Sequence, residues 1–124
     1  HPYLLNELSQ ALFGFQRDQE TLHVSDRVVT MVYTEFGRRA YQNDSGNNAG
    51  TDHGRGGSVM LLGDGVAGGL HGGVPALDDL DNHGNLKINV DFRSVYAAII
   101  DDWLGADHTA VLPGGPFTPA PVIA

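Results

Sequence analysis

The chain has 124 residues, is 41% hydrophobic, and carries 15 acidic against 7 basic side chains, a net charge of −8. That length suits one domain with a workable core, and so acidic a surface repels phosphate backbones, which excludes nucleic acid as an expected partner. No cysteine is present, which excludes disulfides, thiolate metal sites and a cysteine nucleophile, and no apolar run approaches the roughly 20 residues that cross a bilayer, so no membrane insertion is expected.

His1-Pro2-Tyr3 has neither an initiator methionine nor a basic start, so the chain is expected to be processed or cut from a longer one. Leu4, Leu5, Leu8, Ala11, Leu12 and Phe15 then recur at helical spacing, with polar residues between them, and predict a helix from about Pro2 to about Glu20. Pro2 suits its first turn. The run Arg27 to Thr34 is β-branched and apolar almost throughout, as for a strand buried on both faces of a parallel sheet. A helix feeding a buried strand is half of a β-α-β unit and puts α/β first among fold classes.

From Tyr41 to Gly57 the composition turns to Asn, Asp, Ser, Thr and Gly and reads as a long loop. Ser58 to Gly63 reads as a second buried strand, expected beside the first in one sheet with both helices packed on it. Gly65 to Gly73 reads as a tight connection with a short edge strand. Eleven of the seventeen glycines lie between Gly46 and Gly73, where backbone has to turn sharply or approach a ligand closely. Asp78 to Asn85 is acidic loop. Asp91 is placed as the N-cap of a second helix running from Phe92 to about Leu104, with Gly105 as its stop signal. The remainder divides the chain into a folded portion, 1–105, and a Pro-rich tail, 106–124, with too many prolines for regular structure.

Three places invite chemistry. Glu35 follows the first strand directly, and in open α/β sheets ligands bind beyond the carboxyl ends of strands; its bland alternative is a glutamate that caps a helix or pairs with Arg38 or Arg39. Asp52 and His53 combine a hard oxygen and a borderline nitrogen on a Gly-rich loop, a donor pair that suits zinc; the bland alternative is a solvated loop pair. Asp78-Asp79-Leu80-Asp81-Asn82 has the look of a calcium loop but no carboxylate at the closing position, and reads as a solvated acidic turn. His23, His71, His83 and His108 stand singly. Neither a phosphate-binding Gly-rich loop nor a Gly-x-Ser-x-Gly elbow is present.

Five motifs occur in order: Thr34-Glu35-Phe36-Gly37-Arg38-Arg39, Gly50-Thr51-Asp52-His53-Gly54, Gly68-Gly69-Leu70-His71-Gly72, Asp91-Phe92-Arg93-Ser94-Val95-Tyr96-Ala97 and Asp102-Trp103-Leu104-Gly105. Together they make the chain resemble the bacterial family catalogued as domain of unknown function 1501, a distant branch of the alkaline phosphatase and sulfatase superfamily. The resemblance covers essentially the whole chain. It implies the C-terminal part of a longer, exported protein, secreted or periplasmic, with an α/β sandwich built on a mainly parallel sheet with packed helices. It further implies that Glu35, Asp52 and His53 are metal ligands, His53 foremost, for a divalent ion, zinc first with manganese or calcium as alternatives. The nucleophile, an early aspartate ligand and an Asp-x-His motif, which the superfamily takes from its N-terminal half, are absent from these residues.

Three functions follow from these readings. The first is the C-terminal portion of a metal-dependent hydrolase of phosphate or sulfate esters, inactive alone, whose partner is the missing N-terminal half or another copy of the chain. The second is a non-catalytic binding or structural module. The third takes His1 as a mature N-terminus whose amine and imidazole, with His53, His71 or His83, hold copper in an oxidative polysaccharide-cleaving enzyme.

Overall fold

A computed structural model describes residues 2–124; the copper-brace reading rests on His1, which lies outside the described residues. The first helix, α1, spans Pro2–Thr21, as the apolar spacing predicts. Four short strands follow: β1 at Thr30–Val32, β2 at Gly37–Gln42, β3 at Thr51–Gly54 and β4 at Met60–Leu62. The second helix, α2, covers Phe92–Ala98 and runs on into one π-helical turn, Ile99–Trp103.

The expected mainly parallel sheet is not there. β1 pairs with β4 and β2 with β3, both antiparallel, in two separate two-stranded sheets. The two apolar runs are neighbours, with Met31 opposite Leu61, but they run in opposite directions and each is only half-buried. An apolar run of this length fits a half-covered antiparallel strand as well as a parallel one, because β-propensity records side-chain packing and not strand direction. The Tyr41 to Gly57 segment is likewise not a plain loop: β3 lies inside it and closes a hairpin on β2. Residues expected in an edge strand after Gly65 contribute one bridge, Val66 to Ile123.

The core is small. Ala97 and Ala98 of α2 are fully buried, and Ala98 packs with Ala120 and Val122, flanked by Leu61, Val95 and Ile123. The Pro-rich tail therefore supplies three of the six residues of this cluster, Ala120, Val122 and Ile123. Its seating is specific: the Ala120 N–H donates to the Ser94 carbonyl, and the Arg93 guanidinium lies 4.5 Å from the Phe117 ring centre. Asp91 caps α2 as its position in the sequence predicts. Its carboxylate accepts from the Arg93 backbone N–H at 2.9 Å and from the guanidinium at 2.6 Å.

Helix α1 stands largely clear of this body. Tyr3, Leu4, Leu5, Phe13 and Phe15 on it are all more than half exposed, and Gln19 is its one buried residue. The accessible surface of 8786 Å² exceeds the roughly 6,400 Å² of an ordinary folded monomer of 13.2 kDa. That excess is larger than the roughly 800 Å² that one partner of a standard interface covers.

The acidic segment after Asp78 is a built turn rather than solvated loop. Asp81 Oδ1 accepts from the backbone N–H groups of His83 and Asn85, and both carboxylate oxygens accept from the Asn85 side chain. Asn85 is buried, and its Oδ1 accepts the Arg55 N–H at 3.1 Å, which ties this turn to the end of β3. Side-chain hydrogen bonding from Asn85, followed by the Asn85 N–H, holds the Asp81 carboxyl down at about 2 against an ordinary 3.8. Arg93 does the same for Asp91, also about 2. Carboxyls depressed on folding stabilise the fold above their unfolded value, and that contribution is lost as pH falls. The Asp81 turn and the α2 cap should therefore open between about pH 4 and about pH 2, followed by amide NMR at Asn85 and Arg93. Asp81→Asn, which cannot ionise, should abolish the titration at Asn85; an unchanged profile would refute the assignment.

Candidate metal centre

The hairpin β2–β3 carries Asp52 and His53, and Glu35 precedes it. Glu35 lies in the connection between β1 and β2 and is exposed, and no protein donor reaches its carboxylate among the described residues. It borders an apolar groove formed with Met31, Tyr33, Val59, Phe92 and Val95. Asp52 and His53 are successive residues of β3, not loop residues as their composition implies. Both are exposed, and the Asp52 carboxylate accepts from Asn43 Nδ2 at 2.8 Å.

Phe36 links the two halves. Its ring stacks on the His53 imidazole with centres 3.7 Å apart and planes 21° apart. Because Phe36 is the chain neighbour of Glu35, this stack draws the Glu35 and His53 backbones together across the strand ends. Gly37 opposite Gly54, and Arg38 opposite His53, set the register that makes the stack possible. His53 makes no side-chain hydrogen bond to the described residues, so its ring nitrogens are available.

The donor types suit a divalent cation, oxygen from Glu35 and Asp52 and nitrogen from His53. Their arrangement does not close a coordination shell: among the described residues, no three or more His, Cys, Asp or Glu side chains gather as a metal site. Glu35 borders the apolar groove, whereas Asp52 and His53 line a separate open depression of about 490 Å³ with Arg38, Arg39, Asn43 and Thr51.

One polar constellation escaped the reading of single histidines. His108 is buried, its Nδ1 is 2.7 Å from Asp101 Oδ2, and its Nε2 accepts the Phe117 N–H. Asp101 sits in the π-helical turn and His108 seven positions on, beyond the Gly105 that ends the helix, so the helical spacing of the two does not mark the pair. Both ring nitrogens are engaged, and the pair ties the tail to the end of α2 instead of facing a ligand. The Asp81 turn, by contrast, had a legible signal, an aspartate two and four residues before His83 and Asn85, in the pattern of side chains that bond their own backbone nearby.

Residues 1–114 match the model of a family described as "Protein of unknown function (DUF1501)". No curated protein and no solved structure matches the chain.

Proposed function

From the premise that the chain belongs to the DUF1501 family, we propose that it is the C-terminal part of a metal-dependent, hydrolase-like bacterial protein acting on phosphate or sulfate esters outside the cytoplasm, and inactive alone. The observation that carries this reading is the stack of Phe36 on His53, which brings the Glu35 segment beside the Asp52-His53 strand and leaves three exposed donors around one hairpin. An incomplete donor set of this kind is what one side of a shared site contributes. The exposed apolar residues of α1 give the rest of such a protein a surface to cover.

Asp52 and His53, which line one depression, would hold the ion, with the imidazole plane steadied by Phe36 and the Asp52 carboxylate steadied by Asn43, while Glu35 borders the neighbouring groove. When bound, the ion supplies charge stabilisation at a phosphoryl or sulfuryl centre. The chain's own residues do the positioning. The open surface also favours a second reading, a non-catalytic module whose α1 face binds a protein, and metal binding separates the two.

Zinc or manganese titrated into the chain by calorimetry should bind weakly, and His53→Ala should weaken binding by about tenfold or more, equivalent to about 1.4 kcal/mol. The isolated chain should show no phosphatase or sulfatase turnover above a Glu35→Ala control. Equal metal affinity in wild type and His53→Ala would remove the metal reading and leave the module.

A further inference from the structure

The basic residues of this acidic chain are unevenly placed. Fifteen Asp and Glu face seven Lys and Arg, yet ion pairs to carboxylates engage Arg17, Lys87 and Arg93 alone among the described residues. Of the four arginines left without one, Arg38 and Arg39 lie on β2 and Arg55 directly follows β3. With acids outnumbering bases by two to one, a hairpin whose three arginines make no ion pair among the described residues has guanidinium groups to spare.

Arg38 and Arg39 share one depression with Asn43, Thr51, Asp52 and His53. In a regular strand two successive side chains point to opposite faces. Here β2 advances from Arg38 to Gln42 while β3 advances only from His53 to Thr51, so extra residues bulge out of β2. A bulge re-aims side chains, and this one lets both arginines border the same space. Arg38 is held in place: one Nη donates to the Thr51 carbonyl at 2.7 Å, and its guanidinium carbon lies 5.5 Å from the Phe36 ring centre. Its remaining N–H groups, and all of those on Arg39, have no protein acceptor among the described residues. Asp52 shares the depression, but its carboxylate accepts from Asn43 and from neither arginine.

Two planar guanidinium forks beside an amide and an imidazole match a tetrahedral oxyanion, whose oxygens accept in pairs. We propose that Arg38 and Arg39 form a clamp for the phosphate or sulfate group of an anionic ligand, with Arg38 pre-set by Thr51 and Phe36 and Arg39 closing from the bulge. The clamp deepens the hydrolase reading by giving the ester's oxygens a seat beside His53. It rests on that reading for the ester alone, since the arginines bind an oxyanion with or without a metal.

The test titrates inorganic phosphate, and separately sulfate, into the 124-residue chain in metal-depleted buffer at low ionic strength, read by amide NMR shifts at Arg38, Arg39 and His53. Wild type should show saturable shifts confined to the hairpin. Arg39→Ala should weaken binding about tenfold, Arg39→Lys less, and Arg27→Ala, which removes an unpaired arginine outside the hairpin, by less than about twofold. His53→Ala should lose zinc but weaken oxyanion binding less than Arg39→Ala does, so failure of the metal centre and failure of the clamp are read apart. A hairpin that gives no saturable shift, equal affinity in Arg39→Ala and Arg27→Ala, or phosphate binding that needs zinc would each overturn the clamp. The dispersion of the Arg39→Ala spectrum reports its folding, and Arg39→Lys, which keeps the charge, carries the comparison should Arg39→Ala unfold.

Discussion

Replacing Gly37 by alanine is expected to destabilise the protein by about 3 kcal/mol or more, the upper end of what a forced contact costs. A Cβ at Gly37 would stand 1.8 Å from the Gly56 carbonyl oxygen and 2.3 Å from its carbon. Both are backbone atoms, so no side chain can swing aside. Relief requires β2 to move off the segment after β3, which also carries Phe36 away from His53 and opens the oxyanion depression. Urea unfolding should therefore show a lower midpoint, and zinc and phosphate binding should fall together. Gly14 provides the opposite case within the same chain. A Cβ there meets nothing within 4 Å, and in the middle of α1 alanine should raise helix stability by about 0.5–1 kcal/mol. A Gly37→Ala variant as stable as wild type would mean that the register of Gly37 on Gly54 is wrong.

His108→Ala is expected to cost about 2–3 kcal/mol, the penalty of leaving buried partners unpaired together with the space the ring vacates. Nε2 accepts the Phe117 N–H, so the neutral ring carries its hydrogen on Nδ1 and donates it to Asp101 Oδ2 at 2.7 Å. Asp101 Oδ1 also accepts the His108 backbone N–H at 2.8 Å, so one carboxylate holds both ends of the residue. Removing the ring leaves Asp101 Oδ2 and the Phe117 amide without their partner and loosens the tail that brings Ala120 and Val122 to α2. Amide exchange at Phe117 and Ala120 should accelerate along with the stability loss. In a double-mutant cycle His108→Ala and Asp101→Ala should couple by about 1–2 kcal/mol, as members of one network do. Additive effects, or an unaltered Phe117 amide, would show that the pair does not hold the tail.

Local signals in the sequence were enough for the elements that local physics controls. The spacing of Leu4, Leu8 and Leu12 defines α1, because helix periodicity is written in neighbours three and four residues apart. Asp91 as the cap of α2 is legible for the same reason: a capping carboxylate bonds two residues away. The five ordered motifs were sufficient to assign the family. That β1 and β4 are neighbours was also readable from the two apolar runs.

Direction and pairing were not, since an antiparallel pair and a parallel pair bury the same side chains and differ only in how the backbone returns. The hairpin that gathers Asp52, His53, Arg38 and Arg39 lies in a stretch whose composition says loop. Its strands are held by backbone register and by the fit of Gly37 against Gly56, neither of which leaves a hydrophobic pattern. The same limit hid Asp101 and His108, which meet because α2 ends in a π-helical turn and the tail folds back over it. Composition and spacing thus determined the helices, the cap, the family and the donor types, all encoded by residues close in the chain. Tertiary structure alone decided the antiparallel sheets, the shared depression and the buried histidine, because each depends on contacts between segments whose separation no local pattern records.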